Sequence, residues 1–261
     1  MTEDISVESH DGWRKILLNA PARLNAVNAP MLERLVAALT AAEADESCRA
    51  ILLTGVGRGF CAGQELGPDV TPGPQGAPDL AALAGRYHHD VVRRIRASRL
   101  PVVCAVNGVA AGAGVGFALA CDIVLAAKTA RFVQAFVKIG LVPDSGTSTL
   151  LTQSVGAARA RAMSMLGDAI DAETAAAWGM IWKAVEPDAL MTEAEAMTAA
   201  LAKGPTKALG AMKRIFDVAP FNDLHTQLAL EATLQGEAGH GAEFAEGVRA
   251  FLEKRPPAFP R

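Results

Sequence analysis

The stretch from Val102 to Ala127 limits the possible folds more than any other part of the chain. It reads VVCAVN, then the glycine-rich GVAAGAGVGF, then ALACDIVLAA. Apolar side chains point in every direction along it, so it must be covered on every side. Asn107, Asp122 and the glycines interrupt it, which excludes a membrane span and predicts strand, turn, buried helix and strand. Two other runs share the strand pattern of its DIVLA segment. Lys15 to Asn19 (KILLN), Ala50 to Thr54 (AILLT) and Asp122 to Ala126 (DIVLA) are nearly continuous apolar stretches, as parallel strands buried on both faces require. Between the first two, Met31 to Asp45 sets Met31, Leu32, Leu35, Val36 and Leu39 on one helical face. Asn28 and Pro30 stand where a cap and a helix-entry proline belong. Strand and helix in alternation predict an α/β core.

Beyond about Ser145 the pattern becomes mostly helical. Asp171 is placed to cap AETAAAWGM, with Gly179 at its end, and a short strand-like IWKAV follows. Lys203-Gly204-Pro205 reads as a hinge. Pro205 to Val218, Phe221 to Ala238 and Gly241 to Lys254 read as three further helices, and Arg255 to Arg261 as an irregular tail. The expected division is a core over residues 1–200 and a helical region over 201–261. Gly67 to Asp79 holds seven Gly or Pro residues in thirteen and must be a loop, either a solvated insertion or a mobile lid.

Composition removes several function classes. Hydrophobic residues make up 51% of the 261 and charged residues 20%, which is incompatible with disorder as the main state. A net charge of −3 and a 5% aromatic content argue against a nucleic-acid surface. The opening MTEDISVESHDGW is acidic without an apolar run, so no signal peptide is expected. Cys48, Cys61, Cys104 and Cys121 form no CxxC pair, which fits a reducing, cytoplasmic location. No HExxH or Cys/His cluster is present, and no metal site is expected. The adjacent His88 and His89 read as the exposed flank of a helix. Cys61 reads as a small buried residue and not as a nucleophile.

Three segments carry candidate chemistry. TGVGRGFCAGQEL (Thr54–Leu66) and NGVAAGAGVGF (Asn107–Phe117) each follow a strand, and the second enters a helix. Such turns either allow tight helix–sheet packing or bring backbone N–H groups to a ligand oxyanion. Neither has the spacing of a dinucleotide or phosphate loop. The third segment, IGLVPDSG, holds Asp144, the one acid between Asp122 and Asp168. Asp144 is open to two readings. It is either a carboxyl group desolvated by the apolar residues before it and suited to proton transfer, or the N-cap of a helix from Thr147 to Val155.

Taken in order along nearly the whole chain, ARLNA (Ala22–Ala26), RGFCAGQEL, NGVAAGAGVGFALACDI, GLVPDSG and GVRAFLEKR resemble the crotonase (enoyl-CoA hydratase/isomerase) superfamily. The resemblance implies a spiral of strand-strand-helix repeats with a C-terminal helical trimerisation region. It implies a homotrimer or dimer of trimers acting on an acyl-CoA thioester, with no cofactor beyond the coenzyme A of the substrate. By motif position the two oxyanion donors are the backbone N–H groups of Gln64 and Ala113. Coenzyme A contacts fall on Ala22, Arg23 and Leu24, on Phe60, Ala62, Gly63 and Leu66, and on Gly112. Phe251 and Lys254 are implied to reach the nucleotide from a neighbouring subunit. A helix reading alone would make them a core face and a solvated charge.

The two glutamates of the family's hydratases fall at Gly116 and Phe136, so both are absent. Asp144 remains, an arrangement similar to the family's isomerases of enoyl-CoA or epoxyphenylacetyl-CoA thioesters, the latter in phenylacetate degradation. One carboxylate suits that work, because it can remove a proton and return it elsewhere. Ser145-Gly146-Thr147-Ser148 departs from the common pattern where the acyl pocket is shaped. The expected activity is therefore acyl-CoA isomerisation by Asp144. A hydratase or thioester hydrolase using Asp144 to activate water is the alternative, and a silent CoA-binding or assembly protein is the alternative of another class. If Asp144 were only a cap, Glu65 would be the next candidate base.

Overall fold

The computed structural model describes residues 4–67, 70–73 and 76–260. Four residues of the loop read over Gly67 to Asp79, namely 68, 69, 74 and 75, lie outside the described residues.

The chain opens with a hairpin whose second strand holds the KILLN run up to Leu18 and whose first strand no apolar run marks. β1 (Ile5–His10) pairs antiparallel with β2 (Trp13–Leu18). Its ISVESH is half polar because it is an edge strand, so no apolar run marks it. α1 (Ala29–Ala44) follows, with the Asn28 side chain accepting from the Met31 N–H and Pro30 in its first turn, as predicted. Then a strand-strand-helix unit repeats. β3 (Ala50–Gly55) and β4 (Gly59–Cys61) lead to α2 (Leu80–Leu83) and α3 (His89–Ala97), which are joined by one π-helical turn over Ala84–His88. β5 (Val102–Val106) and β6 (Val109–Ala111) lead to α4 (Ala113–Ala120). β7 (Ile123–Ala127) and β8 (Arg131–Val133) lead to α5 (Thr147–Leu166). β9 (Ala169–Asp171), α6 (Ala172–Ala177) and β10 (Lys183–Val185) close the strands, and Asp171 caps α6 as expected. The helices α7 (Leu190–Ala202), α8 (Thr206–Val218), α9 (Leu224–Gly239) and α10 (Ala242–Leu252) complete the chain.

Each repeat gives its first strand to a six-stranded sheet, β1-β2-β3-β5-β7-β10, and its second to a four-stranded sheet, β4-β6-β8-β9. From β2 to β10 the larger sheet is parallel. This is the α/β spiral that the motifs imply. The two faces of the large sheet belong to two cores. Ile51, Leu53, Val102, Cys104 and Val106 join the main core with α1, α3 and α4. The alternate residues Leu52, Val103, Ala105 and Leu125 pack on Leu190, Ala194 and Ala202 of α7. That second layer explains why the strands read as continuous apolar runs.

α8 docks through charge. Lys213 Nζ lies 2.9 Å from Asp122 Oδ2 and also donates to the Ile95 and Leu100 carbonyls. Arg96 pairs with Asp217, and Arg49 donates to Thr206 Oγ1 at 2.8 Å and to the Gly204 carbonyl.

Candidate active site

The two glycine turns are locked together by backbone. Gly63 has φ +90°, and a Cβ there would stand 2.8 Å from the Ala111 carbonyl oxygen and 3.7 Å from the Ala113 nitrogen. Gly114 presses on the first turn so closely that a Cβ would lie 2.2 Å from the Cys61 carbonyl oxygen. Glycine is therefore required on both sides of the seam. The seam brings the turn that leads into Gln64 against Ala113, and no hydrogen bond from either residue's backbone N–H is found among the described residues. Ala113 is the first residue of α4, so its N–H also carries the positive end of that helix.

The ARLNA segment is tied to the same turn. Ala62 N–H donates to the Leu24 carbonyl at 3.0 Å, and Val27 N–H to the Gly63 carbonyl at 2.8 Å. Asn25, fully buried, clamps the approach. Its amide donates to the Val56 and Gly59 carbonyls and accepts from the Ala20 N–H. Leu24 and Asn25 both adopt positive φ, which turns Ala22, Arg23 and Leu24 onto the Phe60–Gly63 turn. Leu66 is exposed beside it. Glu65 is engaged elsewhere: Asn28 Nδ2 donates to it at 2.8 Å and Arg23 Nε lies 3.6 Å away.

Asp144 sits on a sharp turn before α5. Its carboxylate accepts from the Ser145 hydroxyl at 2.8 Å, and Ser145 is buried with φ +51°. The capping reading needs correction, because Gly146 is the N-cap. The Asp144 backbone carbonyl, not its side chain, accepts from the Thr147 N–H and hydroxyl. The apolar setting read from the sequence also differs. Asp144 is half-buried, while Ile139, Leu141 and Val142 point outward. Ile139 ends a 3-10 turn over Ala135–Ile139, and Leu141 and Val142 lie in the irregular segment that follows its Gly140 cap.

The places of the family's two glutamates are informative. A Cβ at Gly116 would meet the Ser145 carbonyl oxygen at 2.4 Å, so the loop carrying Asp144 fills that position. The Phe136 ring lies 3.6 Å from where a Gly112 Cβ would be. Gly116 is three residues from Ala113 on α4, about 4.5 Å along the axis, so Asp144 stands near the two donors.

Two features went unread in the sequence. His88 is not on an exposed flank. The π turn rotates it inward, where it is buried and stacks on Phe117 of α4 with ring centroids 6.3 Å apart. Both ring nitrogens lack a hydrogen-bond partner among the described residues. Burial pushes its proton affinity down, against a smaller upward pull from the Asp144 carboxylate. Gln134, fully buried two residues before Phe136, likewise leaves both amide atoms unpartnered. Neither signal exists in a sequence without the fold. The four cysteines are buried and free, and burial pushes the Cys61 thiol up to about 12, which suits packing and not nucleophilic attack.

Phe251 lies in the last turn of α10 and Lys254 just beyond its Glu253 cap; α10 packs on α9, and no hydrogen bond or ion pair among the described residues joins them to the glycine turns. Phe251 is 81% exposed, so it is not a core face within the chain. A cavity of about 1150 Å³ lies elsewhere, lined by Arg96, Lys213, Asp217, Leu230 and Leu234, and includes none of the predicted site residues. Among the described residues no group of three or more His, Cys, Asp or Glu is placed to hold a metal, and no helix is long and apolar enough to cross a membrane.

Comparison with known proteins agrees with this architecture. The enoyl-CoA hydratase/isomerase family model matches residues 8–261. The chain is 46% identical to 1,2-epoxyphenylacetyl-CoA isomerase of Escherichia coli K12 over 260 residues, 99% of each chain. It is also 46% identical to a Rhodobacter capsulatus protein named "Probable enoyl-CoA hydratase" over 255 residues, 98% of this chain and 97% of that one. The crystal structure of an enoyl-CoA hydratase from Polaromonas sp. JS666 superposes with a TM-score of 0.90 at 33% identity, covering 98% of this chain and 99% of that one.

Proposed function

The chain belongs to the enoyl-CoA hydratase/isomerase family and is an enzyme of it, and from that premise we propose that it isomerises an acyl-CoA thioester with Asp144 as its single proton carrier. Equal identity to an isomerase and to a protein named as a hydratase leaves the choice to the site. The observation that carries it is the packing of Ser145 against Gly116, which leaves no room for a carboxylate side chain at position 116, while Phe136 stands at the other hydratase position. Hydration needs a water held and activated while a proton goes to carbon, work that the family's hydratases divide between two acids. Isomerisation needs one group that takes a proton and returns it.

The thioester oxygen would lie between the Gln64 and Ala113 N–H groups. As the α proton leaves, charge moves onto that oxygen, and the two fixed donors with the α4 N-terminus stabilise it. Losing one such donor typically costs about 3 kcal/mol of barrier. Asp144, held by the Ser145 hydroxyl, removes the proton and delivers it to another carbon of the enolate. Glu65 is less suited, since Asn28 and Arg23 already hold its carboxylate. An epoxyphenylacetyl group, or another unsaturated acyl group, is the substrate this reading favours, with the thioester's own coenzyme A as the only cofactor. Mass spectrometry of a CoA-thioester panel in deuterated water tests it. The expected result is exchange into an isomerised product without the mass of an added water. Hydration of crotonyl-CoA at the rate of a dedicated hydratase would overturn it.

A further inference from the structure

His88 is a buried polar group that the isomerase reading does not use. His88 keeps both ring nitrogens without a hydrogen-bond partner among the described residues, although burying an unpaired imidazole is costly. The Leu83 carbonyl lies near the ring, but its approach falls short of a hydrogen bond.

Three contacts bring this ring to the loop of Asp144. Phe117 of α4 stacks on His88, and the preceding residue Gly116 abuts Ser145. Val92 lies four residues after His88 on the same helical side, and its Cγ1 is 3.4 Å from the Cβ position of Gly146. The ring and the carboxylate therefore share one compartment, close enough for their charges to interact. A π turn is an irregularity that recurs at functional sites, and here it supplies the rotation that points His88 inward. The titratable groups that reach the ring are Asp144 and, on its own helix, His89. α4 carries none, and Glu33 of α1 instead shares a surface recess with Arg86 and Asp90.

Resting on the isomerase reading, we infer that His88 is a positioning residue for Asp144: its neutral ring donates an N–H to the carboxylate once a thioester fills the site, and keeps that carboxylate in its charged, proton-accepting form. Site hydrogen bonds are often open in an unliganded enzyme and tighten with substrate. A bound acyl group drives water from Asp144, and a dry carboxylate without a donor favours its protonated, inactive form. The Ser145 hydroxyl holds one carboxylate oxygen, so the other is available.

The test uses the full chain and β,γ-hexenoyl-CoA. His88→Leu should move the acidic limb of kcat, which reports the substrate complex, upward by about one to two pH units, the worth of one hydrogen bond to a charged group. The plateau above the limb should change less than about threefold, since Asp144 itself remains. At least one of His88→Asn and His88→Gln, which keep an N–H donor, should restore the limb. An unmoved limb in His88→Leu, or failure of both amides to restore it, overturns the inference. Disappearance of the limb also overturns it, because His88 would then be the proton carrier. Should His88→Leu fail to fold, ring-nitrogen NMR of the unaltered protein decides. Saturation with hexanoyl-CoA should shift the His88 N–H signal, and Asp144→Asn should abolish the shift. No shift in the unaltered protein, or an equal one in Asp144→Asn, refutes it. Asp144→Asn also separates the two ideas. If that variant keeps near-normal turnover, the isomerase reading and this inference both fall. If it is inactive while the His88→Leu limb is unmoved, only this inference falls.

Discussion

α4 and α9 are both helices rich in apolar residues, and the structure treats them oppositely. All eight residues of α4 are buried by the chain itself. Of the sixteen residues of α9, only Gln227 and Leu234 are buried, while Leu224 stays 74% exposed and Leu228 is exposed as well. Phe216, Phe221, Phe244, Val248 and Phe251 continue the exposed apolar surface across α8 and α10. The inner helix is held by backbone-close glycine contacts and presents the Ala113 N–H in a fixed place, as preorganised catalysis needs. The outer helices have apolar surface that one chain does not cover, and we propose that a further copy covers it. The same amino-acid types thus line the site in one place and, on this proposal, serve assembly in the other.

The largest expected effect tests whether the inner region's role is chemical. Asp144→Asn should lower isomerisation by about 10²–10⁴-fold. Its melting temperature should stay near that of the unaltered protein, because the backbone carbonyl, which the substitution keeps, holds Thr147. Coenzyme A thioester binding, followed by calorimetry, should persist. A large fall in melting temperature would make Asp144 structural.

Next is the bolt between the regions. Lys213→Ala leaves Asp122 buried without its cation, and breaking such a pair costs about 3–5 kcal/mol. Urea unfolding should show this loss. A change within error would mean that α8 is held by apolar contact alone.

Gly114→Ala sharpens the inner half. The added methyl meets the Cys61 carbonyl, so about 1–3 kcal/mol of stability should be lost, with turnover falling as Ala113 shifts. An equivalent methyl in α9, Gly236→Ala, meets nothing within 4 Å and should be neutral or slightly stabilising. Thermal melts of the pair read the contrast directly.

For the outer half, Leu224→Asp with Leu228→Asp should lower the oligomer mass in light scattering without unfolding the core. An unaltered protein that ran only as single chains would remove the basis for this. The smallest effect is on acid stability. The unfolded His88 ring takes a proton near pH 6.5, but the buried one resists it to lower pH. The unfolded state therefore holds more protons in that window, and stability should fall as pH drops below about 6.5. His88→Gln should flatten this slope in melts taken across the range.

Much of the fold was legible because burial on two faces leaves a mark in composition. The runs at β3, β5 and β7 have no polar residue to spare, and Asn28 with Pro30 marks the start of α1. β1 was not legible, since an edge strand needs only half its residues apolar. α7 was folded into a generally helical stretch, because alanine-rich LMTEAEAMTAALA does not say which face meets a sheet.

The site divides in the same way. The glycines at 63, 112 and 114 were visible as sequence, since the positive φ at 63 and 112 favours glycine and a carbonyl 2.2 Å from a Cβ at 114 excludes a side chain. Asp144 was visible as an isolated acid but not as a turn held by Ser145. That Gly116 is filled by Ser145, that Phe136 stands over Gly112, and that His88 turns inward were decided only by tertiary structure. Each depends on residues distant along the chain meeting in space. Residue type alone determines what each backbone position can tolerate, and the packing of α3 and α4 around the loop of Asp144 determines which side chains share one compartment.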